Sequence, residues 1–168
     1  ENYEVQKLRY NKKFLTLGKD FPVIKNLQSV PGIGAVGAVK IAAIVVDPKR
    51  FASKGHWLSY CGLIKHDRIS GGRVYGKKMP RHNRILKSVF KTATVTILQD
   101  TPSIYTKAVG ETAGAIKSYY QMLIEKKNYP PFRARNAVAR KIAVIALGVM
   151  KSKSKFDDRW RQKYVSVN

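Results

Sequence analysis

From Ala35 to Val46 the chain runs Ala-Val-Gly-Ala-Val-Lys-Ile-Ala-Ala-Ile-Val-Val, with Lys40 its only charged side chain. A helix that is apolar nearly all round has no face to give to water, so it belongs inside a shell of other helices. The expected fold is therefore a compact, mainly α domain. The flanking sequence supplies the shell. Residues 3 to 17 read as a helix, with Tyr3, Leu8, Leu15 and Leu17 among Lys and Arg, and Gly18 as its stop. A short helix over Pro22 to Gln28 leads into Val30-Pro31-Gly32-Ile33-Gly34. Asp47-Pro48 closes the apolar helix, because proline disfavours helix in the residue before it. Ser53 to Tyr60 forms another short helix, ended by Gly62.

Residues 63 to 81 break this rhythm. Gly71, Gly72, Gly76 and Pro80 lie among Arg and Lys, which makes a loop, or a small β-hairpin through Ile69, Val74 and Tyr75. Three longer helices follow, over about 82–99, 102–127 and 132–150. Thr101-Pro102 fits the cap and first turn of the second, and Tyr129-Pro130-Pro131 separates it from the third. At ~100° per residue, Arg84, Lys87 and Lys91 share a narrow arc, with Ile85, Leu86, Val89, Phe90, Ala93 and Ile97 on the other side. Residues 1–20 are expected to be an N-terminal helical extension, 21–150 the domain proper, and 151–168 a basic tail with Phe156 and Trp160.

Thirty-three Lys and Arg against ten Asp and Glu leave the chain at +23. Charge of that size repels itself unless a polyanion compensates it, which points to nucleic acid. The longest apolar run, Ile142 to Met150, is well short of the ~18 residues of a membrane span. A single cysteine, Cys61, rules out an internal disulfide and suits a reducing compartment. No signal-peptide pattern opens the chain, and its start at Glu1 without a methionine is what a fragment or processed chain would show. The ten acids, from Glu1 and Glu4 to Asp157 and Asp158, are scattered, and only His56, His66 and His82 are available as imidazole ligands. Two-metal nuclease chemistry needs several converging carboxylates. No metal site is expected in this chain.

Two segments can carry chemistry. Leu27 to Gly34 followed by an Ala-rich helix looks like a helix-hairpin-helix. There Gly32 and Gly34 permit a tight turn, and the N–H groups of the second helix face a phosphate. The same hairpin also serves tight helix packing, and both uses stay open. The other segment is Lys65 to Lys91, with nine Lys or Arg against one Asp. Ser70 lies between Arg68 and Arg73 and ahead of two glycines. A serine hydroxyl becomes a nucleophile only when a base or a positive field lowers the cost of the alkoxide. The flanking guanidiniums would supply that field and stabilise charge on a phosphorus under attack. On chemistry alone a Ser-Gly-Gly segment is far more often simply a turn. His66 and His82 are proton-transfer candidates, though phosphate-contacting or solvated histidines are commoner. Tyr75 lacks the Arg/His constellation of a tyrosine nucleophile. Trp57, Trp160, Tyr119 and Tyr120 are potential base-stacking residues whose default role is packing.

Five landmarks in order carry a resemblance: Val30-Pro31-Gly32-Ile33-Gly34; Arg50-Phe51-Ala52-Ser53 leading to Tyr60-Cys61-Gly62-Leu63; Ser70-Gly71-Gly72; Asn83-Arg84-Ile85-Leu86-Lys87; and Ala137-Val138-Ala139-Arg140-Lys141-Ile142. Together they resemble the C-terminal domain of the "IS one-ten" type insertion-sequence transposases, also called bridge recombinases, and the related pilin-gene invertases. The resemblance implies DNA transposition or site-specific recombination through a phosphoserine-DNA intermediate, with the nucleophile mapping onto Ser70. It also implies a partner RuvC-like domain holding Mg2+, with residues 1–20 as the linker to it. A composite site in a homo-oligomer, DNA and in many members a structured guide RNA as partners, and a cytoplasmic, nucleoid-associated setting follow as well. In that reading Arg68 and Arg73 stabilise the reacting phosphate. Gly32, Gly34, Lys77, Lys78, Arg81, Arg84 and Lys87 hold the nucleic-acid backbone, and the fragment alone is an inactive part of an enzyme. His82 stands where the family usually has Gly, a departure that bears on the loop-to-helix junction. Two readings without the chemistry remain: a non-catalytic helix-hairpin-helix DNA-binding module, and a basic structural RNA-binding protein.

Overall fold

The computed structural model describes residues 2–99 and 110–156. Among them are seven α-helices: α1 (Tyr3–Asp20), α2 (Pro22–Gln28), α3 (Ala35–Val45), α4 (Lys54–Tyr60), α5 (Arg84–Leu98), α6 (Gly110–Glu125) and α7 (Pro131–Ser152). One antiparallel hairpin, β1 (His66–Ser70) and β2 (Arg73–Lys78), interrupts the series between α4 and α5. The expected mainly α architecture is what the molecule shows. Thr101-Pro102 and Trp160 lie outside the described residues.

The long α7 is the centre of the core. Its buried face is rich in small side chains, Ala134, Ala137, Ala139, Ala143 and Ala146, which let α5, α6, α2 and α4 approach it. Ile142, Ile145 and Val149 fill the spaces between them. On α5 the buried arc is Leu86, Phe90, Ala93, Thr94 and Ile97. Ile85, expected on that face, is half exposed. It lies about 140° around the helix from Phe90, which turns it out of the core and toward α3.

Two further expectations shift. The α3 rod is not covered all round: Ala38, Val39, Ile41 and Val45 are buried, while Lys40 and Ala43 face out. Its contacts with α1, α2 and α5 leave one flank open. Gly18 does not stop α1, which continues to Asp20. It is buried within the helix, where a Cβ would come 3.2 Å from Ile24 Cγ2, so it is a point of close approach between α1 and α2. Beyond α7, Lys153 turns the chain in the left-handed conformation. The Asn26 side chain then donates to the Lys153 carbonyl at 2.9 Å, and the Phe156 N–H donates to Ser29 Oγ at 2.7 Å. The first residues of the basic tail are thereby tied to α2.

Candidate nucleic-acid interface

The hairpin rests on a rigid foundation. Ser53 caps α4 by accepting from the His56 N–H, and Trp57 anchors that helix in the core. The indole N–H of Trp57 donates to the Ala143 carbonyl at 2.7 Å, and its ring meets Phe51 and Phe90 edge-on at 4.9 and 5.9 Å. So Trp57 is a packing residue. At the end of α4 the Leu63 N–H donates to the Leu58 carbonyl and the Gly62 N–H to Ser59, both at 2.9 Å. With Gly62 at φ +67°, this is the six-to-one and five-to-two pattern of a left-handed helix cap.

The returning chain is pinned to the same point. Asn83 N–H donates to the Tyr60 carbonyl at 2.8 Å, and Asn83 Oδ1 caps α5 by accepting from the Leu86 N–H at 3.0 Å. His82 lays its ring on Gly62, where any Cβ would fall 2.6 Å from the imidazole Cγ. Its Nδ1 is 2.9 Å from the Pro80 carbonyl. His82 thus fits because residue 62 has no side chain.

Between these feet the hairpin projects, every strand position exposed. Ser70 pairs with Arg73 across the Gly71-Gly72 turn, whose positive φ angles of 54° and 75° are those of a type I′ hairpin turn. Ile69 pairs with Val74 and Asp67 with Lys77, so β2 carries one extra residue opposite Arg68. Gly76, at φ +124°, lies in this bulge.

The register sorts the side chains. Alternation and direct pairing place Arg68, Ser70 and Arg73 on one face, together with the His66–Lys78 pair. The opposite face carries Ile69 and Val74, exposed as a pair, and the Asp67–Lys77 ion pair at 3.9 Å. Lys77 is therefore on the face away from Ser70. Among the described residues the Ser70 hydroxyl has no hydrogen-bond partner. His66 sits at the far end of β1, roughly 13 Å along the strand from Ser70, with its Nε2 3.0 Å from Ser59 Oγ. It braces the hairpin base and is out of reach of the Ser70 proton.

Two clefts flank the start of α5. One, about 1030 Å³, lies at the foot of the hairpin, where Arg68, Lys78, Arg81 and Arg84 converge with Asp67, the single acid there among the described residues. The other, about 570 Å³, runs between α3, α1 and α5, and includes Gly32, Gly34, Lys40 and Arg84. Arg84 lines both. Lys87 and Arg73 line neither; Lys87 is half-buried on α5 and Arg73 stands at the hairpin tip.

The two motif glycines have separate roles. Gly32, at φ +75°, is pressed so closely on the Ala93 carbonyl of α5 that a Cβ would collide with it. Gly34 is the N-cap of α3 and offers no side-chain cap, which leaves the first turn of that helix facing the cleft. Ser88, Thr92 and Thr96, four residues apart along α5, form the polar wall opposite. Lys40 and this hydroxyl row are functional candidates that charge and motif alone do not single out. The i, i+4 spacing of the three side chains is the signal the sequence holds for them.

Among the described residues no three His, Cys, Asp or Glu side chains gather into a metal site. No described helix is long and apolar enough to cross a membrane. Cys61 is buried, and burial pushes its thiol pKa well up.

No match to the chain stands among the curated proteins. The family model described as Transposase IS116/IS110/IS902 family matches residues 24–108. That stretch takes in the Pro-Gly-Ile-Gly turn, α4, the hairpin with Ser70 and all of α5. The match covers half of the chain, and this protein belongs to the Transposase IS116/IS110/IS902 family.

Proposed function

We propose that the chain is the DNA-handling part of a transposase in which Ser70 is the nucleophile. The observation that carries the proposal is the position of Ser70: exposed at the hairpin tip, on the same face as Arg68 and directly opposite Arg73. Cβ atoms of directly paired residues lie about 5 Å apart, so the Arg73 guanidinium can reach a phosphate held against the hydroxyl. In the reaction Ser70 Oγ bonds to phosphorus and gives up its proton. The bond from phosphorus to one deoxyribose oxygen breaks, and that oxygen takes up a proton. The phosphoserine keeps the phosphodiester energy, so the reverse attack by a strand end rejoins DNA without ATP. Arg68 and Arg73 stabilise the extra negative charge on the five-coordinate phosphorus.

The backbone of DNA, or of a DNA–RNA duplex, is held along the two clefts. Arg84 stands at their junction, with Lys78 and Arg81 on one side and the Gly34 end of α3 on the other. Lys77 and Lys87 add charge around this path. The described acids do not form a Mg2+ site; in this reading the metal belongs to a separate RuvC-like domain. Joining of that domain through residues 1–20, homo-oligomeric assembly and use of a structured guide RNA are parts of the same proposal.

The test is Ser70→Ala in the full-length enzyme. Loss of recombination with retained DNA binding is the expected result. Unchanged recombination would remove the nucleophile and leave a non-catalytic DNA-binding module, a reading that the uncapped start of α3 in its cleft also favours.

A further inference from the structure

We propose that the groove between α5 and the first turns of α7 binds an unpaired nucleotide of a single-stranded nucleic acid, its base stacked on Phe132 and its phosphates held by Lys91 and Arg135. This site is separate from the Ser70 face and stands or falls independently of it.

The groove is about 360 Å³, at the small end of the range for ligand pockets of ~300–1000 Å³. Lys91, Thr94 and Val95 of α5 line one wall; Phe132, Arg135 and Asn136 of α7 line the other. Phe132 is 68% exposed and Val95 46%, so an aromatic ring and a branched side chain lie open to solvent beside each other. Two cations flank them, and among the described residues no acid lines the groove. An apolar face between positive charges fits a ligand that is flat and apolar in one part and anionic in the next. A nucleotide has that pattern.

The start of α7 strengthens the argument for an anion. Its first turn contains no acidic residue, and Pro130 supplies no side-chain cap. Arg133 is occupied over the Tyr129 ring at 4.1 Å, which leaves Lys91 and Arg135, among the described residues, as the cations facing the groove. Positive side chains at a helix N-terminus oppose the helix dipole, and a bound phosphate relieves that conflict. Thr94 is not the anchor: it is buried and its hydroxyl donates to the Phe90 carbonyl at 2.9 Å. Asn136 is the side chain placed to meet a base edge. The ligand is unpaired because stacking on Phe132 needs a free base face, and in a duplex neighbouring bases cover both faces.

The experiment uses the whole chain and three labelled probes: a short thymine-rich DNA strand, the RNA strand of matching sequence with uracil for thymine, and a duplex of the same DNA. Anisotropy titrations at several salt concentrations give affinity and its salt slope. Phe132→Ala is expected to weaken single-strand binding on the order of tenfold, with the salt slope and duplex affinity unchanged. Phe132→Trp restores it. Lys91→Gln with Arg135→Gln lowers the slope by about 1.4, from ~0.7 per lost phosphate contact. A larger loss on RNA or on DNA identifies the natural strand, and equal losses mean that the ribose is not read. Unchanged single-strand affinity in Phe132→Ala overturns the proposal and is also the result expected if an acidic protein segment is the true occupant. An equal loss on duplex overturns it too. Phe132 is exposed, so its replacement leaves the fold intact, and Ser70→Ala has no bearing on these readings.

Discussion

Gly32 and Gly34 show how one short motif divides its work. At Gly32 the backbone is left-handed and α5 is in contact, so a methyl group is opposed by both strain and collision. At Gly34 the backbone is extended and open to the cleft. Gly32→Ala should destabilise the protein by about 2–4 kcal/mol, and Gly34→Ala by well under half as much; chemical denaturation of the two variants checks the difference. Cys61 offers a residue-scale test of a different kind. Burial holds its thiol neutral in the folded protein, while the unfolded chain ionises through the ordinary range near 9.0. The unfolded state therefore releases a proton that the native state retains, and stability should fall as pH rises above that range, by at most about 1.4 kcal/mol per pH unit from this group. Cys61→Ser would not isolate the effect, because it buries a hydroxyl. Alkylation tests the burial that causes the shift: it should be negligible in the native protein and fast after unfolding.

At the scale of elements, the hairpin differs from everything around it. The helices hold each other through the α7 core, whereas the hairpin is held by its turn, its ladder and its two feet at Tyr60–Gly62 and His82–Asn83. Replacing Gly71-Gly72 with Asn-Gly keeps a type I′ turn and should preserve recombination by the full-length enzyme. Ala-Ala should fray the tip and reduce recombination severely, with thermal unfolding of the helical body changed by less than about 0.5 kcal/mol. Most helix spans are legible in the sequence because caps and prolines mark them: Pro22, Asp47-Pro48, Ser53 and Pro131 each stand where a helix begins or ends. The hairpin register is not legible. With every strand position exposed, no buried face selects one pairing over its neighbour, and the bulge opposite Arg68 has no hydrophobic signature. For the same reason the sequence brings Ser70 near its arginines but does not separate them from Lys77 on the other face. Gly18 reads as a stop because a glycine that ends a helix and one that admits a neighbouring helix look identical in sequence.

Taken whole, the molecule is a small apolar core carrying a charge of +23. That balance by itself calls for a polyanionic partner, and the order of landmarks places the chain in its family. What only the folded arrangement supplies is the meeting of distant segments: Arg84 between two clefts, His82 on Gly62, and Phe132 beside Lys91. If about six phosphates are engaged, log affinity for duplex DNA should fall with log salt at a slope near −5; Arg84→Gln should reduce that slope by about one, and a slope near zero would contradict the charge-based account. Trapping the reaction decides whether Ser70 is the nucleophile. The full-length enzyme is mixed with end-labelled DNA, denatured during turnover and digested, and the DNA-linked peptide is identified by mass spectrometry. A phosphodiester on Ser70 in the native enzyme and no adduct in Ser70→Ala is the expected result; an adduct on another residue, or recombination with no protein–DNA link at all, would rule Ser70 out as the nucleophile.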